Sequence, residues 1–431
     1  MDIDMRNIIV KESGKSGISD QEMCLALKRS LENYPDIRKV LILPPDFTRA
    51  HSGAGKITAM YYELLKNSCQ VDILPALGTH EPMTEQEGAE MFGASVPTDR
   101  IIAHDWKNDV EKIGEVPREF VNKVSEGLVD SSIDVEINRR LLDRSYDLII
   151  SVGQVVPHEV VGMANYSKNI FVGCGGKSMI NQTHMLGAFY GMERILGRDF
   201  SPVRKVFDYA EENYLQGIPL MYVLTVTSQE EGRTILHGLF LGRERKVFEE
   251  AVALSQEKNI IFLDRPLKKV VVYLEEKEFK STWLGNKAIY RTKMAMAAGG
   301  ELIILAPGVR KFGEDNENDR LIRKYGYMGR KRVLELCRES GELAGNLSVA
   351  AHLIHGSSDE RFTIHYACEH LTKEEIEKTN FKYLPLEEAY DRYCPQRLKD
   401  GFNVMADGEE IFYISNPALG LWTERSSFFR V

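Results

Sequence analysis

Residues 146–152, YDLIISV, restrict the fold of this chain more than any other stretch. An apolar run this short, without polar alternation, reads as a buried strand, and fully covered strands belong to parallel sheets with helices on both faces. The pattern recurs upstream. Residues 39–45 (KVLILPP) read as a strand, 57–66 as a helix and 71–77 (VDILPAL) as another strand. Thr84-Glu85-Gln86-Glu87 then has the form of a capping box opening a helix. Strand, loop, helix and strand in this order predict a parallel α/β sheet.

At 431 residues the chain exceeds one ordinary core, so two domains are expected. A second α/β set begins near Pro266, with a strand at 268–274, a helix at 286–298 and a strand at 301–306. Residues 313–323 read as a solvated loop leading into a further helix. The boundary is placed at 257–268, giving an N-terminal α/β domain of 1–262 and a C-terminal one of 263–400. Residues 401–431 form a tail that stays with the second domain or packs back on the first, with a hairpin turn at Asp407-Gly408. A net charge of −9 with no long basic run argues against nucleic-acid binding. No run approaches about 18 apolar residues, so no membrane span is expected. The first residues lack the apolar core of a leader peptide, which places the protein in the cytoplasm. The six cysteines are scattered without CxxC spacing and read as reduced thiols, Cys174 as a buried bystander.

The chemistry-bearing residues follow the strands. Asp46-Phe47-Thr48-Arg49 comes after the first, where it suits either phosphate or carboxylate binding or a helix cap beside a surface arginine. His80 follows the strand at 71–77. After the strand at 146–152, His158, Lys168 and His184 fall within 27 residues. Two imidazoles at strand ends suit inversion at a stereocentre, one acid/base for each face. A lysine among apolar groups can lose its charge and turn nucleophilic, and His184 could ligate a metal through a neutral nitrogen. Residues 173–178 (GCGGKS) lack phosphate-loop spacing and read as a flexible turn that could offer N–H groups to an anion. His352, His355, His365 and His370 read as surface or helix-face residues.

Over roughly residues 35–310 these motifs, in this order, resemble the lactate racemase family, whose members use a nickel-pincer nucleotide. Asp46-Phe47-Thr48-Arg49 resembles its D-x-T-R turn, and residues 78–84 (GTHEPMT) its G-T-H-x-P-M-T segment. Pro157-His158, Lys168 and His184 match its second acid/base, cofactor-anchoring lysine and nickel-ligating histidine. The resemblance implies two α/β domains with mostly parallel sheets and the active site in the cleft between them. It also implies a nicotinic-acid-derived nucleotide bound covalently through Lys168, with nickel held partly by His184. His80 and His158 would then exchange protons at a 2-hydroxy acid while hydride leaves and returns at its α-carbon. Asp46 and Thr48 would contact the nucleotide, and Arg49 the substrate carboxylate. Trp283 and Lys287 would contact substrate, with Lys293 as the alternative if the register slips. Partners would be the 2-hydroxy acid and the enzymes that make the cofactor.

Two departures stand out. Asn165-Tyr166-Ser167 replaces the family's Gly-Gly before the lysine, so the loop is expected to follow a different path. Leu284 replaces a glutamine, which leaves lactate, larger aliphatic or aromatic acids and sugar acids open as substrates. The rival readings are a non-catalytic binding protein of the same fold, an NAD-dependent dehydrogenase and a zinc hydrolase using His80, His158 and His184. The dehydrogenase lacks a GxGxxG after its first strands. Added NAD should therefore leave the melting temperature unchanged; a saturable rise would restore that rival.

Overall fold

The computed structural model describes residues 7–429, apart from 13, 15, 231, 232 and 340. Residues 1–6, part of the stretch read above for a leader, lie outside this set. The chain divides into two compact units: residues through Leu186 with Ile195–Asn259, and Gly187–Arg194 with the chain from Ile260 onward. Among the described residues no helix is long and apolar enough to cross a membrane.

The first unit is built on a mixed six-stranded sheet. Its strands are β1 (Ile8–Lys11), β2 (Lys39–Leu43), β3 (Gln70–Ile73), β4 (Leu148–Gln154), β5 (Leu220–Glu230) and β6 (Arg233–Gly242). They lie in the order β1-β6-β5-β4-β2-β3. All seven residues of β4 are buried, as its apolar run requires, and it pairs in parallel with β2 on one side and β5 on the other. Helices α1 (Asp20–Leu31) and α2 (Ala54–Leu65) cover the sheet, with Leu27, Ile57 and Tyr61 packed against Val40, Ile42 and Ile150. The capping box expected at Thr84 is present. The antiparallel pair β5–β6 lies outside the strands expected from sequence, although residues 220–224 (LMYVL) are a buried apolar run of the same kind as that of β4.

The second unit carries its own six-stranded sheet: β7 (Leu267–Tyr273), β8 (Met296–Leu305), β9 (Thr363–Cys368), β10 (Lys382–Pro385), β11 (Gly401–Val404) and β12 (Glu410–Ile414). Its order is β10-β9-β8-β7-β12-β11, parallel except for the edge strand β11. Residues 401–414 are thus strands of this sheet, joined by a turn with Gly408 at φ +85°, and the apolar end of β12 sits beside Val270–Val272. The helix expected at 286–298 is shorter: it runs Lys287–Thr292, and Met296 already pairs with Leu267. Strand pairing overrides the helix propensity of residues 294–298 (MAMAA). Residues 316–325, Asn316–Tyr325, are helical from an Asp315 cap, so most of the expected loop is helix.

His352 and His355 are buried in helix α3 (Leu347–His355) rather than lying at the surface. The His352 ring stacks on Trp283, centroids 4.3 Å apart, and its Nε2 hydrogen-bonds the Tyr327 hydroxyl at 2.9 Å. Burial, helped by the nearby His355, drives the His352 imidazole down to about 3. The folded state then binds fewer protons than the unfolded state below the usual histidine range, so stability is lost as pH falls through about 6.5. Between pH 6.5 and 5 this one group should cost about 2 kcal/mol. Denaturant unfolding across that range should show the slope, flattened in His352→Gln; an unchanged slope in the variant would refute the assignment.

Candidate active site

β3, β2 and β4 run parallel and adjacent, so the loops that leave their carboxyl ends emerge on one edge of the sheet. Asp46 caps the short helical turn Phe47–Ser52 after β2. His80 ends the loop after β3. His158 lies in a small hairpin after β4, where Pro157–His158 pairs with Gly162–Met163. Cross-ties fix these loops together. Gly78 N–H donates to the Gly173 carbonyl at 2.8 Å, and the Asn169 amide donates to Leu43 O and Ser151 Oγ, both at 3.0 Å.

The Asp46 carboxylate is spoken for. One oxygen accepts from Thr48 N–H at 3.1 Å and Thr48 Oγ1 at 2.5 Å, and the other hydrogen-bonds His80 Nδ1. Burial opposes its charge, but the bonds from His80 and Thr48 outweigh burial and hold Asp46 below the usual carboxylate range. A carboxylate only accepts, so His80 carries a proton on Nδ1, and in the neutral ring the lone pair is therefore on Nε2. The His80 side chain is 57% exposed, so that lone pair can meet a ligand from solvent. The even choice posed by the sequence, cap or ligand-binding turn, resolves locally as a cap that also orients a histidine.

His158 has the opposite tautomer. Its Nδ1 accepts from Val160 N–H at 3.1 Å, so the ring proton of the neutral form sits on Nε2. Burial, followed by the charges of Lys168, Arg49 and His184, keeps it well below the usual histidine range, with Glu159 opposing. Glu159 Oε2 stands 3.9 Å from His158 Nδ1. This carboxylate, which also acts on Lys168 and His184, was not singled out in the sequence because nothing in its spacing marks it.

Lys168 opens a wide turn, Asn169–Gly173, closed by Cys174 N–H donating five residues back to Asn169 O. Burial, with Arg49 reinforcing it, brings its ammonium down to about 8. His184 donates from Nδ1 to Ile180 O at 2.6 Å, which leaves Nε2 as a neutral ligand atom, and burial lowers its basicity. Among the described residues no three His, Cys, Asp or Glu side chains converge on a metal position, so His184 would need donors brought by a cofactor.

Asn165 and Tyr166, where the family has glycines, adopt φ of +64° and +57°. The loop thus takes left-handed backbone in spite of its side chains. Gly153 at the end of β4 allows this: a Cβ there would overlap the Asn165 amide. In the glycine turn at 173–178 the N–H groups of Cys174, Gly175, Gly176 and Ser178 are already bonded within the protein. Gly176 N–H bonds Glu136 O at 3.3 Å and Ser178 N–H bonds the Glu136 carboxylate at 2.9 Å. Cys174 is fully buried, and burial raises its thiol to about 12. Asp46, Thr48, Arg49, His80, His158, Lys168 and His184 all belong to the first unit, with Thr48 and Arg49 exposed. Trp283 and Lys287 belong to the second, half-buried on and beside the turn Thr282–Gly285, next to Leu284. Lys293, the alternative to Lys287, is buried and bonded to Asp359 at 2.5 Å and Glu193 at 3.1 Å.

Residues 26–194 match the model of the lactate racemase N-terminal domain family. Among solved structures, one from Thermotoga maritima is 24% identical, with a TM-score of 0.78 over 96% of this chain and 99% of the other. The lactate racemase apoprotein from Thermoanaerobacterium thermosaccharolyticum is 17% identical, with a TM-score of 0.68 over 93% of each chain. These likenesses establish the α/β fold. No curated protein sequence matches.

The depressed Lys168 ammonium has a direct readout. In cofactor-free protein, acylation of Lys168 by a small reagent, followed by peptide mass analysis, should rise with a midpoint near pH 8. Ordinary lysines titrate near 10.4. A midpoint at or above 10 would contradict the environment described.

Proposed function

We propose, from the match of residues 26–194 to the lactate racemase N-terminal domain family, that this chain is a racemase or epimerase inverting the α-carbon of a 2-hydroxy acid. The observation that carries this reading is the pair of histidines held in opposite tautomers on one sheet edge. His80, its Nδ1–H held by Asp46, offers an unprotonated Nε2 able to take a hydroxyl proton. His158, whose neutral ring carries its proton on Nε2 opposite the Val160 N–H, presents that N–H to the site and gives a proton when its ring is in the imidazolium form. With one ring neutral and the other an imidazolium, each turnover leaves the ring that took the hydroxyl proton charged and the ring that gave one neutral, so the reverse reaction starts from the exchanged pair. A binding protein has no need for both.

The residues present fit a nickel-pincer nucleotide: Lys168 would hold it covalently and His184 would ligate its nickel. When bound, that group supplies the acceptor and donor of the α-carbon hydride. Arg49 is the cation for the substrate carboxylate, which its planar fork can grip through two oxygens. Thr48 faces solvent and remains a nucleotide contact, whereas the Asp46 carboxylate serves His80. Trp283 and Lys287 supply further substrate contacts, and Leu284 beside Trp283 favours an acid other than lactate.

Protein co-expressed with the cofactor-making enzymes should carry an added mass of nucleotide size and near-stoichiometric nickel, both lost in Lys168→Ala. His80→Ala and His158→Ala should keep the added mass and each lower epimerisation of the accepted acid by about 10²–10⁴-fold. An adduct without turnover across a broad panel of 2-hydroxy acids would favour the non-catalytic binding protein instead. An unmodified mass, beside a correctly loaded family control, would refute the cofactor assignment.

A further inference from the structure

Arg204 is a fully buried arginine, close to the proposed site, whose fork is spent on main-chain and hydroxyl oxygens. It sits in the first turn of the helix Pro202–Tyr214, its N–H capped by Ser201 Oγ at 3.0 Å. Its Nη2 donates to Met163 O at 2.7 Å and Asn165 O at 3.1 Å, and its Nη1 donates to Ser167 Oγ at 2.8 Å. The guanidinium lies 4.5 Å from the Phe248 ring centroid. Ser201 Oγ donates to Val161 O at 2.8 Å, and Gly197 N–H to Gly162 O at 2.9 Å. The whole segment from 161 to 167 therefore hangs from this helix start and the loop before it.

Two consequences follow. Met163 pairs with Pro157, so one of Arg204's acceptors belongs to the hairpin that carries His158. Ser167 directly precedes Lys168, so another belongs to the turn that carries the amine. Between them lie Asn165 and Tyr166, whose left-handed backbone, strained above all for the bulky Tyr166, persists only if the surroundings over-determine it. Tyr166 is stacked on Phe248 at 5.0 Å and bonded through its hydroxyl to Arg243 O at 3.1 Å, but the carbonyls on either side of the turn are held by Arg204. Burying a guanidinium is expensive; the two terminal nitrogens of Arg204 are used on three oxygens that a lysine could not satisfy together, while its buried Nε has no hydrogen-bond partner.

We propose that Arg204 is a positioning residue of the active site, which holds the strained Asn165–Tyr166 turn and thereby fixes Lys168 relative to His158. The proposal rests on the reading above that Lys168 anchors the cofactor. Glycine at 165 or 166 would need no such clasp, so strain and clasp are a matched pair in this chain.

The test compares Arg204→Lys, Ser167→Ala and the double variant Arg204→Lys/Asn165→Gly with the wild type. In cofactor-free protein, amide hydrogen exchange of residues 163–169 should speed up at least tenfold in Arg204→Lys and less in Ser167→Ala, while β4 keeps its protection. Exchange should slow again in the double variant, where residue 165 takes left-handed backbone without strain and only Tyr166 keeps it. In protein loaded by co-expression, the fraction carrying the nucleotide mass should fall in the same order and recover in the double variant. Unchanged exchange and loading in a folded Arg204→Lys would overturn the proposal, as would a loss that glycine at 165 fails to restore. If Arg204→Lys does not fold, Ser167→Ala carries the decision by the same two readouts. Absence of the adduct in the wild type would sink the cofactor reading, while the exchange experiment would still decide the role of Arg204 in holding the turn.

Discussion

The insertion of β4 between β2 and β5 is the constraint from which the rest of the first unit follows. A strand buried on both faces has no solvent side, so its register and direction are set by its two parallel neighbours. Parallel pairing then dictates that the loops after β2, β3 and β4 leave by the same edge. His80 and His158, 34 and 112 positions after Asp46 in the chain, thus stand on the same edge as Asp46 because their strands point the same way.

On that edge, backbone and carboxylate partners decide the chemistry of otherwise identical rings. His80 and His158 differ in what holds Nδ1, a carboxylate in one case and an amide N–H in the other. That difference assigns opposite proton states at Nε2 without any difference in residue type. Lys168 and His184 show the same economy. Burial lowers the basicity of both, and a carbonyl at Ile180 selects the ligating nitrogen of His184. The loop between His158 and Lys168 bears left-handed backbone at two non-glycine residues, and buried Arg204 offsets that strain by satisfying the carbonyls around it.

The chain alone determined the strands of the parallel core, because apolar runs such as 146–152 cannot be placed anywhere but inside. It also determined which residue types stand at the strand ends, since those follow from order and spacing. Tertiary structure decided the rest. The strand Met296–Leu305 begins inside a helix-favouring stretch because Leu267 and its neighbours pair with it, against local propensity. Lys293 is consumed by Asp359 and Glu193, groups remote in sequence, and His352 and His355 are buried because helix α3 turns that face inward. Tautomers, the partner of Asp46, the place of Glu159 and the grip of Arg204 all depend on distances between segments tens of residues apart. Spacing along a chain states which groups are present; only folding sets the hydrogen bonds that give each its proton.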